Sequence, residues 1–153
     1  MIKLPEKSDM VMFPKKYVYF SLIILLFVQI LAGCGERTFT AEEQEVVDTA
    51  LAWLKLIDEQ KYEESWEASA FLIKNNLTAR QWVIGLEQIR KPFGKGLSRK
   101  MIESHPWSSR GITLYTIAYK TKFENNTTKI ERVSPVLMDD KSWKVGIYQI
   151  KDL

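Results

Sequence analysis

The chain has 153 residues, 46% hydrophobic and 27% charged, with five Trp, one His and one Cys. That length accommodates one globular domain plus a short extra segment, and the apolar share excludes full disorder and collagen-like repeats. A lone Cys excludes an internal disulfide, and with a single His it excludes a His/Cys zinc site; only carboxylate metal sites stay open.

The first element is an address. Tyr17 to Ala32 is an uncharged apolar run of 16 residues, preceded by Lys15 and Lys16 and, further upstream, Lys3 and Lys7. This is slightly short for a spanning helix, which needs about 17–25 residues, and a basic lead before a short apolar run is the pattern of a secretory signal. The run ends in Leu31-Ala32-Gly33-Cys34, which resembles a bacterial lipobox. Small side chains at Ala32 and Gly33 let a peptidase reach the backbone, and the Cys34 thiol accepts diacylglycerol. The resemblance implies a signal peptide over 1–33, an acylated (palmitate-type) tether over 34–39 and a single domain over 40–153. The alternative is an uncleaved anchor helix with an incidental Cys34. Translation could begin at Met1, Met10 or Met12. One acyl chain binds a bilayer marginally and two bind stably, so the expected location is the cell envelope, facing periplasm or exterior. Gly35 is unlike the Asp that retains lipoproteins at a Gram-negative inner membrane, which favours the outer membrane there.

Removing 1–33 takes away Lys3, Lys7, Lys15, Lys16, Glu6 and Asp9, so the basic excess largely belongs to the address. The remainder is nearly neutral and gives no case for nucleic acid. Its charge is uneven: residues 36–70 hold ten acids and three bases, residues 74–153 seven acids and fifteen bases. Solvated faces of opposite sign are the plain reading, and a docking surface the sharper one.

Thr40-Ala41-Glu42-Glu43 reads as a capping box, and Val46, Val47, Ala50, Leu51, Trp53, Leu54 and Ile57 recur at helical spacing to about Gln60. A second helix carries Tyr62, Trp66, Ser69, Ala70 and Ile73 on one stripe and ends at Asn75-Asn76. A third opens with the capping box Thr78-Ala79-Arg80-Gln81, turns Trp82, Leu86 and Ile89 inward, and stops at Pro92 and Gly94. From Leu97 the period is two: a strand over 98–104, a polar break over 105–111, a long strand over 112–123, a turn, a strand over 128–138 and a last strand over 143–150. Pro135 cannot donate to a ladder and marks an edge or bulge. The expected fold class is α+β, with N-terminal helices packed on a curved antiparallel four-stranded sheet.

This order resembles the nuclear transport factor 2-like fold, a cone with a pocket. Within it, Trp53, the segment YEESWEA with Tyr62, Ser65, Trp66 and Ala68, Trp82, the segment RKPFGKGLSRK with Arg90, Pro92, Gly94 and Arg99, and the closing ERVSPVLMDDKSWKVGIYQI are similar to the bacterial family called domain of unknown function 4019. Where such families read Pro-Leu-Gly this chain has Pro92-Phe93-Gly94. The family carries no assigned activity, so the resemblance implies a fold and an envelope setting, and no cofactor.

Candidate sites have competing readings. His105 lies beside Ser104, Ser108 and Ser109, but no G-x-S-x-G or orienting acid completes a triad, and His105-Pro106-Trp107 reads as a loop. Asp48 falls near the polar face of the first helix and Asp58 at its end, and neither position recommends burial. Trp53, Trp66 and Trp82 are core by spacing, and with Tyr115 and Tyr148 they could line an apolar cavity. Arg90 and Arg99 are either helix-end ion pairs or a guanidinium fork for an anionic ligand or partner carboxylate. The resulting expectation is a tethered, non-catalytic module binding an envelope partner protein or a small apolar or anionic ligand. A pocket hydrolase or isomerase is the competing reading, which an interior carboxylate beside a Tyr would revive. A structural or stress-related component without a cavity is the third.

Overall fold

In the computed structural model, residues 38–153 are described; the expected signal peptide, the lipobox-like Leu31, Ala32, Gly33 and Cys34, and most of the expected tether lie outside them. Helix α1 (Ala41–Asp58) starts where Thr40 accepts from the Glu43 N–H while the Glu43 carboxylate accepts from the Thr40 N–H. The same reciprocal cap, Thr78 with Gln81, opens α4 (Ala79–Ile89). Each cap satisfies two otherwise orphaned donors.

The single second helix expected between them is two short ones, α2 (Tyr62–Glu67) and α3 (Phe71–Lys74). Tertiary hydrogen bonds win over the helical stripe. The Ala70 N–H donates to the Val145 carbonyl at 2.8 Å, and the Trp53 indole donates to the Ser65 carbonyl. Ile89, expected inward, is 53% exposed, because the helix reaches its end there and the chain tightens into a 3₁₀ turn over Lys91–Phe93.

Four strands follow: β1 (Gly96–Ser109), β2 (Ile112–Phe123), β3 (Thr128–Leu137) and β4 (Trp143–Lys151), all antiparallel in the order β1-β2-β3-β4. The polar break expected at 105–111 is absent. β1 runs through His105-Pro106-Trp107, paired with Thr116, Tyr115 and Leu114. Only Arg110 and Gly111 turn, both at positive φ (51° and 79°), the two-residue hairpin geometry that matches strand twist. Pro135 sits at a register shift between β3 and β4, so the bulge is its role and the edge is not.

Phe39–Leu153 forms one compact unit. The fold of the described residues is α+β, with four helices ahead of a curved antiparallel sheet. The sheet's inner face carries Tyr115, Ile117, Tyr119 and Val133 against Val46, Trp53, Leu54, Ile57 and Leu86. A smaller cluster of Ala70, Leu114 and Val136 lies on the other face, joined by Leu72. Among the described residues no helix is long and apolar enough to cross a membrane.

Candidate functional site

The core aromatics are satisfied by a serine hub. Ser65, fully buried, accepts the Trp82 indole N–H on its hydroxyl (2.9 Å) and the Trp53 indole N–H on its carbonyl (2.8 Å), while its own hydroxyl donates to the Tyr62 carbonyl. Trp53 packs 5.9 Å from Trp82 and 5.3 Å from Tyr148, centroid to centroid. Three of the five aromatics proposed to line a cavity are thus packed together at tilted angles, with Trp53 between the other two. Tyr115 packs elsewhere, edge-on to Trp143. Trp66 is half-buried, donates to the Leu77 carbonyl and lies under Lys74.

Beside this cluster lies a quartet of charges. Asp58, at the end of α1, is 14% exposed in its side chain and not on a solvated face as its position suggested. The correction has a local cause: Arg99 grips it with both terminal nitrogens, at 2.6 and 2.9 Å, Arg90 adds a bond, and the Gly96 N–H donates at 2.9 Å. Asp48 stays exposed, bonded to Gln44. Arg90, 1% exposed, also donates to the Gly94 carbonyl and lies over the Phe123 ring at 4.6 Å.

Glu131, which the sequence reading passed over, completes the group with no exposure. One carboxylate oxygen accepts from Arg99 Nε and from Thr121, both at 2.8 Å; the other accepts from the Tyr148 hydroxyl at 2.8 Å. Arg90 Nε lies 3.4 Å from that second oxygen, within ion-pair range but outside hydrogen-bond geometry. A signal existed in the sequence: Glu131 is two residues from Val133 and so shares its face of the β-strand, where a lone inward acid requires a basic partner.

Local sequence builds this arrangement. Gly94 takes φ 71°, and a Cβ there would meet Glu124 Oε2 at 2.5 Å, so only glycine lets the chain turn back over Arg90. At Gly96 a Cβ would strike the Arg99 guanidinium at 2.6 Å. The segment from Arg90 to Arg99 is therefore a cradle for Asp58.

Two positive and two negative side chains cancel, and Arg99 keeps its proton. Burial works against that charge, but its bonds to Asp58 and Glu131 outweigh burial and raise its affinity for the proton. Burial first, then the Glu131 charge, pushes the Tyr148 hydroxyl well up. Tyr119, whose buried hydroxyl finds no partner among the described residues, is pushed up to about 12 chiefly by burial. The interior carboxylate beside a Tyr is therefore present, but it is held by two guanidinium groups and a threonine, and its Tyr stays protonated. Both of its oxygens are already taken by the chain's own donors. Among the described residues no group of His, Cys, Asp or Glu is placed to hold a metal ion.

An apolar hollow of about 490 Å³ opens at the seam of α1 and β4, lined by Thr49, Ala52, Trp53, Leu56, Trp143 and Val145, with Ala68 and Lys144 on its margin. Of the five candidate pocket aromatics only Trp53 lines it. Residues 49–148 match the family described as "Protein of unknown function (DUF4019)". The chain belongs to the DUF4019 family. No curated protein and no solved structure matches it. The DUF4019 match runs from α1 to β4 and so takes in the serine hub, the ion-pair quartet and all of the hollow's lining.

Proposed function

We propose that this DUF4019 member is a bacterial envelope lipoprotein, acylated on Cys34, whose domain is a nuclear transport factor 2-like cone that binds an apolar group without chemistry of its own. The observation that carries the binding half is the α1/β4 hollow. Its volume falls in the range of about 300–1,000 Å³ usual for small-molecule sites, and its walls are Trp53, Leu56, Trp143 and Val145. An apolar ligand, or an apolar side chain of an envelope partner, fits that lining. The anionic-ligand reading of Arg90 and Arg99 loses its support, because both forks hold the chain's own carboxylates. The address half rests on the lipobox-like Leu31-Ala32-Gly33-Cys34 after its basic and apolar lead.

Ala52→Trp fills the hollow from an exposed helical position. The expected result is at least a tenfold weaker retention of an apolar fluorescent probe with the unfolding midpoint unchanged; equal retention sinks the ligand reading. Fatty-acid labelling in cells checks the anchor, with label on the native chain and none on Cys34→Ala.

A second reading, a pocket hydrolase or isomerase, draws on the Glu131–Tyr148 pair. Against it, every oxygen of Glu131 is already engaged, and the hollow's lining includes neither residue. Tyr148→Phe in an activity screen against esters and enolisable ketones decides it. Turnover present in the native chain and lost in the variant would establish the enzyme.

A further inference from the structure

We propose that the outer face of the sheet at the β1–β2 ribbon is a docking surface for anionic lipid headgroups, which seats the tethered domain on the bilayer. The inference uses the Cys34 tether of the proposed function and does not depend on the hollow.

The register puts Lys100 directly opposite Lys120, and Ser98 opposite Lys122. All three lysines are exposed, and none is in an ion pair among the described residues. Together with Ser98 and Thr128 they line a shallow groove of about 270 Å³. Like charges directly opposite on a strand pair destabilise it, and the nearest acid on this face, Glu103 opposite Ala118, is paired with Arg132. The next residue, Arg99, faces the other way and is consumed by Asp58 and Glu131. What remains outside is ammonium groups with long flexible stems and two hydroxyls, donors suited to phosphate oxygens.

Trp107 pairs with Leu114, an even position of β2 like Lys120 and Lys122, so it shares their face, and it is 51% exposed. An exposed indole on a basic face suits the headgroup layer, where Trp is enriched. A soluble anion would use the lysines and leave the indole in water. Seven residue steps separate Cys34 from Ala41, a reach of about 25 Å at most. Such a short tether holds the face at high effective concentration over the membrane. With β1 and β2 against the lipid, β4 is at the opposite edge of the sheet, leaving the α1/β4 hollow open to solvent.

A rival occupant is a second copy. The groove between α2 and α4 is lined by Glu63, Glu64, Glu67 and Glu87, complementary in sign to the basic face. Such head-to-tail contacts between unlike patches grow into open chains.

The test takes the mature acylated protein in vesicles of phosphatidylcholine, with or without phosphatidylglycerol at about 3:1, and measures amine-labelling rates by mass spectrometry. A lysine at an anionic surface gains a factor of about five in binding. The expected result is labelling of Lys100, Lys120 and Lys122 slowed about fivefold or more by phosphatidylglycerol. Exposed Lys141 on the β3–β4 turn should be unaffected, and the protection should vanish in about 0.5 M salt. Equal rates in the two vesicles overturn the inference. So does equal protection by inorganic phosphate in phosphatidylcholine, which would make this a soluble-anion site. Protection that appears in phosphatidylcholine as protein density rises, and disappears in Glu63→Gln/Glu64→Gln, also overturns it in favour of self-association. The mass of the Cys34 peptide in the same digests reports acylation, so a missing tether and an unprotected face are read separately.

Discussion

Arg99 and Lys100 are neighbours in sequence and opposites in use. Arg99 turns under the sheet, where it is 13% exposed and locked to two carboxylates; Lys100 turns outward, faces Lys120 and is paired with no acid among the described residues. The strand's alternation separates them by one residue and by the whole thickness of the sheet. On the inner face charge fixes geometry, because an unpaired ion there would be costly. On the outer face charge is left over and is available to something outside the chain. The difference shows why net charge says little about this domain, since the bases that count are distinguished only by the side on which they emerge.

That contrast breaks most visibly at Glu131. Glu131→Gln leaves Arg90 and Arg99 with one carboxylate between them, and removing one partner of a buried pair costs about 3–5 kcal/mol. Urea unfolding of the segment 36–153 should show a loss of that size. A loss under about 1 kcal/mol would mean that the interior charges are solvated and no different from the outer ones.

The two tyrosines near the quartet sharpen it next. Tyr148 donates to Glu131 and Tyr119 donates to nothing found among the described residues. Tyr148→Phe should cost about 1.5–3 kcal/mol, whereas Tyr119→Phe should be neutral or slightly stabilising. Both hydroxyls hold their protons longer in the folded chain than in the unfolded one, chiefly through burial. Their contribution is therefore complete below about pH 10, the ordinary tyrosine value. It is lost as pH rises further, for Tyr119 between that value and about 12. Alkaline unfolding followed by tyrosinate absorbance should be shallower in Tyr119→Phe.

The smallest effect belongs to the outer face. Lys100→Gln relieves its like-charged neighbour, and stability should change by less than about 0.5 kcal/mol, in the stabilising direction at low salt. A clear destabilisation would show that Lys100 is structural after all.

Much of the fold was legible because its signals are local. Thr40 with Glu43 and Thr78 with Gln81 cap helices through residues three apart, β2 was placed at both ends by its alternation, and Pro92 with Gly94 marked the stop just beyond Ile89, where α4 ends. The site was legible only in part. Arg90 and Arg99 stood out, yet their partners lie 32 to 41 residues away, beyond any spacing rule. Asp58 looked exposed because it stands at the end of its helix, and Glu131 looked like any strand acid.

The sequence by itself determined where helices begin, where strands alternate and which segment carries the lipobox-like cysteine, since caps, periods and signal patterns act within a turn or two of chain. The tertiary structure decided that the second helix breaks at Ala70, that β1 continues through Pro106, and that four charges meet under the sheet. The first and last depend on a distant segment, Val145 for Ala70 and α1 with β3 for the two arginines, and the other on Tyr115 across the β1–β2 hairpin. Buried polar groups must be satisfied wherever a partner can be found, and the folded sheet brings those partners within reach.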